Sequence, residues 1–404
     1  MVVGIIGAGA SGMAAALAAA ENKDTQVLIF ERQARVGKKL LATGNGRCNL
    51  TNIHASEKHY HGQMPEFCRV ALEKYGVDNT LEWFAKLGLY TVTEDSGRVY
   101  PYSDQANSVV DVLRLALDKP NITLHLGAEI DKIRSIDGMF QISFGTETAL
   151  CHKLIVACGG LAGTKLGGTM AGYKLLGKLG HKSTRLRPNL VQLQSSWPML
   201  ASLKGVRANC VAQIFCDGNL YAESAGEVQF TERGLSGPVI FEISRDVCAA
   251  PGNWVCRLDL LPGWDEDKLG LFLAERTNGN LSLDDLLTGI LHNRLGRVIT
   301  KAAGIKGKTL CAELMKQEMQ SVCRCVKSLE VSLTEPLGMD SAQVTAGGVL
   351  TEQFDPNTME SRLVKGLYAC GEVLDIDGDC GGFNLQWAWS SGRLAGHYAG
   401  GNAE

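Results

Sequence analysis

Residues 38–52 read KKLLATGNGRCNLTN, a stretch too polar for a core strand and too varied in its chemistry for an ordinary connector. Lys38 and Lys39 can neutralise a phosphate or a ring that gathers negative charge, and Gly44 and Gly46 let backbone come close to a ligand. Thr43, Asn45, Arg47 and Asn49 add hydrogen-bond donors. Cys48 follows Arg47, whose charge is expected to lower the thiol pKa and favour thiolate, so Cys48 is the candidate for a redox or proton-transfer role, with a small packed side chain beside the ligand as the plainer alternative.

The element that must position such a loop lies just before it. VVGII, residues 2–6, is a short apolar strand, followed by Gly7-Ala8-Gly9-Ala10-Ser11-Gly12 and an alanine-rich helix. A second strand, TQVLIFE, then ends on Glu31 and Arg32. Glycines in this spacing, after a strand and opening a helix, with an acid about twenty residues on, describe a dinucleotide-binding turn. Gly7 permits the tight turn, Gly9 admits a pyrophosphate, and Gly12 seats the helix on the sheet. The amides of Ala10 and Ser11 face the phosphates from the helix N-terminus. Glu31 can accept ribose hydroxyls, which disfavours a 2′-phosphate there. These residues do not choose between NAD and FAD.

Near the other end, RLVKGLYACGEVLDIDG reads as a strand over 366–370 that ends in Gly371-Glu372, a carboxylate placed to bind ribitol hydroxyls. A glycine-rich turn from Asp377 leads to Gly382, Phe383 and Asn384, whose amides open a helix and can stabilise negative charge on a reduced ring.

Bulk properties bound what such a chain does. At 404 residues it is too long for one core and should divide into two or three modules. A net charge of -3 argues against a nucleic-acid partner, since phosphate-backbone binders carry a basic surplus. The run from Val2 to Ala20 has no basic leader and flows into a strand, so neither a signal peptide nor a membrane span is expected. Thirteen cysteines without a CxxC pair suit reduced thiols in a cytoplasmic protein, and no metal site is expected.

ERQARVGKKLLATGNGRCNLTN, together with GLYACGEVLDIDGDCGGFNLQWAWSSGRLAG, GEVQFTERGLSGPVIF and AQVTAGGVLTEQFDPNTMESRLVKGLY, resembles the HI0933-like, or BaiN-type, family of FAD-dependent oxidoreductases over nearly the whole chain. The resemblance implies an α/β protein with a glutathione-reductase-type Rossmann FAD domain that carries an inserted antiparallel β domain. It implies FAD as the cofactor, with adenine lying against the backbone near Ile130 and Gly159 close to the cofactor. Known activities include reduction of steroid-like enones, with NADH or NADPH docking transiently, and amine oxidation with oxygen. Some relatives of the fold act on tRNA, so a flavin-holding nucleic-acid-modification accessory protein is the rival from another class. The chain departs from the family at Gly167-Gly168-Thr169-Met170-Ala171-Gly172, which lacks the usual acid, and at Cys380, where threonine is common. A disulfide between Cys380 and Cys48 is one consequence to check.

The FAD domain is expected to be discontinuous, over 1–189 and 338–404. Alternating residues with an Asp217-Gly218 turn predict the β domain over 190–264 and 326–337, and helices over 265–325, partly capped by Ser282 and Asp285, predict a small helical subdomain. The insert should form the far wall of a cleft for a small-molecule substrate. His54, His59 and His61 show no helical period and read as an exposed approach, while His181 or Arg185 could face substrate. Sequence leaves the oligomeric state open.

Overall fold

Apolar runs without a polar face must be covered on both sides, and in this protein they line up in a parallel sheet. The computed structural model describes residues 1–402. The sheet order is Leu367–Ala369, Lys153–Val156, Val2–Ile6, Gln26–Glu31 and Ile122–Leu126, every neighbouring pair parallel. This Rossmann sheet belongs to the first of two compact units, residues 1–187 with 343–404. The same unit holds a three-stranded antiparallel meander over Lys132–Ile136, Met139–Phe144 and Glu147–Cys151. Its first hairpin turns at Asp137 and Gly138, both with positive φ as a two-residue turn requires.

Two helices from opposite ends of the sequence cover the sheet together. The N-terminal helix, Ala10–Ala19, is rich in alanine, and the C-terminal helix, Phe383–Ala399, carries glycine at 392 and 396. A Cβ added at Gly392 would lie 2.4 Å from the Ser11 carbonyl oxygen, and one at Gly396 would lie 2.1 Å from that of Ala15. The two backbones therefore touch, an approach that only the smallest residues allow. Thr25 Oγ1 and Asn22 Nδ2 donate to the Gly400 carbonyl at 2.9 and 3.1 Å and pin the far end of the contact.

The second unit, residues 188–342, is built on a six-stranded antiparallel sheet. Its order is Leu193–Gln194, Gly234–Ser236, Asn219–Phe230, Arg207–Cys216, Trp254–Asp259 and Leu329–Ser332. Along Arg207–Cys216 every second residue from Cys210 is buried, the alternation of a sheet covered on one face. The helices Glu266–Arg276, Asn293–Ala302 and Lys316–Lys327 do not form a subdomain of their own, as the sequence suggested. Leu269, Leu273, Leu295, Val298, Val322 and Val326 share one core with Ile214, Leu258 and Val331 of the sheet. Lys327 fastens helix to strand, donating to Asp259 Oδ2 at 2.7 Å and to the carbonyls of Leu261 and Trp264. The working helix cap is Asp265, which accepts from Lys268 N at 2.7 Å, whereas Ser282 caps only a single 3₁₀ turn.

Among the described residues no helix is long and apolar enough to cross a membrane. The contact between the terminal helices sets a first expectation. Gly396→Val should cost about 3 kcal/mol in urea denaturation, because the new Cβ has no room against the Ala15 carbonyl; a loss under about 0.5 kcal/mol would show that the helices can part.

Candidate cofactor site

The glycine turn after the first strand divides its work unevenly. A Cβ at Gly7 would meet the Ala157 carbonyl oxygen at 2.4 Å, and one at Gly12 would meet that of Gly7 at 1.9 Å, so both are fixed by packing. Gly9 differs, because nothing lies within 4 Å of where its Cβ would be. It caps the N-terminal helix without a side-chain hydrogen bond, and no acid stands in the first turn. The first amides of the helix, at Ala10 and Ser11, thus open on a free side with the partial positive charge of a helix start. Glu31 is held beside them: its Oε2 accepts from Ala8 N and its Oε1 from Gln33 N, each at 2.8 Å. Ala128 N donates to the Glu31 carbonyl at 2.9 Å, which brings the 127–130 segment with buried Ile130 alongside. Arg32 is turned to structure, donating through Nη2 to the Gly167 carbonyl at 2.8 Å. Gly159 has open space at its Cβ position, like Gly9.

The 38–52 loop and the 371–384 segment meet. Lys39 Nζ lies 2.8 Å from Glu372 Oε2, and Glu372 Oε1 accepts from Thr345 N at the same distance. Asn52 Nδ2 donates to the Gly381 carbonyl at 3.0 Å, Thr51 Oγ1 bonds Gln386 Oε1 at 2.6 Å, and Trp389 Nε1 donates to the Leu50 carbonyl at 2.9 Å. Gly382, at φ +106°, comes so close that a Cβ would lie 2.4 Å from the Thr51 carbonyl oxygen and 2.9 Å from Asn49 Oδ1. Ser11 joins the same neighbourhood, its Oγ 2.5 Å from the Cβ position of Gly371. Asp377 is buried on the short strand that leads into the turn.

Two features mark this junction as built for a ligand. Asn45, between Gly44 and Gly46, and Cys48, two residues beyond them, are non-glycine residues in left-handed backbone, at φ 57° and 63°. Each such residue costs about 1 kcal/mol, a strain that clusters where a backbone must present amides to something bound. Asn49 Oδ1 is buried and has no hydrogen-bond partner among the described residues. An open glycine at a helix start, a fixed carboxylate at the second strand and a buried polar atom awaiting a partner fit an adenine dinucleotide with a polar ring at its far end.

Several expectations are corrected by the geometry. Cys48 is fully buried, and burial pushes its thiol up to about 12, opposite to the thiolate expected from Arg47. Arg47 is spent elsewhere: it bonds Asp104 and Glu94 at 2.5 and 2.9 Å and lies 3.9 Å over the Tyr100 ring. Cys48 is thus a small packed side chain, and it forms no disulfide with Cys380. Lys39 has its charge met by Glu372, Lys38 donates to Gln33 Oε1 at 3.3 Å, and Thr43 Oγ1 to the Leu40 carbonyl at 2.6 Å. The Asn384 side chain closes its own turn, accepting from Gly378 N and donating to its carbonyl, both at 2.8 Å. His181 is buried, bonded to Ser361 Oγ at 2.8 Å and stacked on Phe354, so it packs the core instead of facing a substrate.

His59 and His61 are not an exposed approach. Both bond the carboxylate of Asp379, His59 through Nδ1 at 2.9 Å and His61 through Nε2 at 2.6 Å. His59 ends a 3₁₀ turn and His61 lies on the two-residue strand directly after it, so no single helical or strand period marks the pair.

A parallel Rossmann sheet, a glycine turn at its first helix, an acid closing the second strand and a returning C-terminal helix are the frame of the FAD-dependent oxidoreductases. The chain belongs to the HI0933-like family: the model of the HI0933-like protein Rossmann domain matches residues 1–398. It is 38% identical to the 3-dehydro-bile acid delta(4,6)-reductase of Clostridium scindens, with 98% of each chain covered. It is 33% identical to the ribosomal RNA dihydrouridine synthase of Escherichia coli, over 96% of this chain and 95% of that protein. The solved 3-ketosteroid delta1-dehydrogenase of Sterolibacterium denitrificans shares the fold, with a TM-score of 0.52 at 13% identity over 99% of both chains.

Two measurements check this site. Gly9→Val, with open space for its side chain, should fold normally yet weaken FAD binding about 100-fold, or ~3 kcal/mol, in a fluorescence titration of apoprotein. With its thiol near 12, Cys48 holds only about one part in ten thousand as thiolate at pH 8. Iodoacetamide mapping by mass spectrometry should therefore find Cys48 unmodified in native protein and modified after unfolding.

Proposed function

We propose that the protein is an FAD-dependent reductase that saturates an activated carbon–carbon double bond in a small, steroid-like organic molecule, with NADH or NADPH docking transiently to supply electrons. The observation that carries this reading is the 38% identity, over 98% of both chains, to a reductase named for the delta(4,6) bonds of a bile acid. A double bond conjugated to a carbonyl accepts a hydride at its far carbon and a proton at its near carbon. The second relative's name points to the same change, since the bond saturated in dihydrouridine is also conjugated to a carbonyl.

In this reading Gly9, Ala10 and Ser11 hold the pyrophosphate and Glu31 the adenosine ribose. Lys39 and Glu372 act as a pair beside the ribityl chain, and the 43–49 loop with Gly382, Phe383 and Asn384 receives the flavin ring. Bound there, the flavin supplies a two-electron hydride donor. The chain's part is to orient it, exclude water and deliver the proton.

A second substrate class, ribosomal RNA, is favoured by the 33% identity to the dihydrouridine synthase. The net charge of -3 weighs toward the small molecule, because an RNA substrate is ordinarily met by a basic surface. An oxidase reading is separable from both.

The test is stopped-flow reoxidation of the FAD-loaded protein after anaerobic reduction. A carbonyl-conjugated steroid should reoxidise it within seconds, and an unmodified ribosomal RNA fragment should not. Rapid reoxidation by oxygen with none by any enone would establish an oxidase, and reoxidation by the RNA alone would establish the second substrate class.

A further inference from the structure

The Asp379 cluster is not used by anything described so far. His61 and Tyr60 form a two-residue strand paired antiparallel with Asp377 and Gly378. This pairing sets His59 and His61 on the same side as Asp379, whose backbone N donates to the His59 carbonyl at 3.0 Å. The carboxylate then receives both imidazoles, one on each oxygen. Burial alone would raise the Asp379 carboxyl, but the hydrogen bonds from His61 and His59 outweigh it and hold the group below its ordinary range. Asp379 is thus a lasting anion, and it fixes which nitrogen of each ring faces it.

The two rings differ in what they leave free. His61 spends Nε2 on Asp379 and keeps Nδ1, the nitrogen next to its own backbone. His59 spends Nδ1 and leaves Nε2, at the outer tip of the ring, without a hydrogen-bond partner among the described residues. Its ring is braced against Phe383, centroids 4.5 Å apart and planes 20° from parallel. Phe383 opens the C-terminal helix directly after Gly382. An imidazole held through Nδ1 by a carboxylate, with Nε2 free, is the arrangement that lets histidine pass a proton in one direction.

Other acids near this turn are poorly suited. The Cys48 thiol is buried and pushed up to about 12, the buried Tyr60 hydroxyl already donates to the Phe383 carbonyl, and Lys39 is paired with Glu372. The remaining charged groups on the elements packed around His59 include Glu57, paired with Arg69, its neighbour Lys58, Glu66 on the turn over Pro65–Cys68, and Asp377 on the partner strand.

Resting on the reductase reading above, we propose that His59, oriented by Asp379 and braced by Phe383, is the proton donor for the reduction, and that His61 is a positioning residue that completes the carboxylate's partners. As the far carbon of the double bond takes a hydride from the reduced cofactor, the near carbon takes the proton from His59 Nε2. The C=C π bond, the reduced cofactor's bond to the hydride and the His59 Nε2–H bond break, two C–H bonds form, the cofactor is left oxidised by two electrons, and the neutral imidazole regains its proton from solvent.

The test uses the FAD-loaded, pre-reduced protein with a steroid enone and, separately, with oxygen. His59→Asn should slow reoxidation by the enone about 100-fold or more and leave reoxidation by oxygen within about two-fold. Asp379→Asn should slow the enone reaction about ten-fold. Nitrogen-15 NMR of the purified protein should show neutral His59 as the Nδ1–H tautomer, with the Nε2–H form appearing in Asp379→Asn.

Equal enone rates in wild type and His59→Asn, or an Nε2–H tautomer in wild type, would overturn the assignment while the reductase reading stands. A wild type that no enone reoxidises overturns both. If His59→Asn does not fold, the tautomer and the Asp379→Asn rate decide in the same way.

Discussion

Everything at the cofactor site depends on two helix backbones being able to touch. Ser11, Ala15 and Ala19 on one helix meet Gly392 and Gly396 within the other and Gly400 just beyond its end, at distances that leave no room for a side chain. Small residues four apart on both partners give a flat seam, and a flat seam fixes how far each helix is pushed along the other. The first helix begins at the Gly7–Gly12 turn and the second at Gly382, so the seam also fixes the separation of the two helix starts. A ligand bound at both starts inherits that spacing from packing rather than from any contact of its own.

Around this frame, charge is handled locally. Lys39 and Glu372 answer one another, Arg47 is divided between Asp104 and Glu94, and Asp379 takes two imidazoles. The exposed Arg47 pairs contribute little to stability on their own, since solvent screens them. Their value is positional: they hold the strained 44–48 backbone in place without a charge left over to pull on a ligand.

Much of this was legible in the sequence, and the failures have physical causes. The strand, glycine turn and terminal acid of the first unit are local signals, each set by neighbours a few residues away, and the parallel sheet forms where they place it. What a charged residue pairs with is not local. Arg47 sits next to Cys48 in the chain, yet its partners lie at positions 94 and 104, and the thiol beside it is left in an apolar setting. The pairing of His59 and His61 with Asp379 spans more than three hundred residues, so nothing local in the sequence shows what the two rings meet. Helices contiguous in sequence over 265–325 suggest a subdomain of their own, whereas their apolar sides complete the core of the adjacent sheet.

The order in which the chain is made gives the seam another meaning. Asn22 and the Gly400 carbonyl it holds are 378 positions apart, so the first helix leaves the ribosome long before its partner exists. Until then an alanine face and a glycine turn shaped for phosphate stand uncovered, and closing so long a loop is slow. The nascent chain must therefore keep its first helix from associating wrongly until the later helix has been made, and capture of the coloured cofactor reports that the two have met.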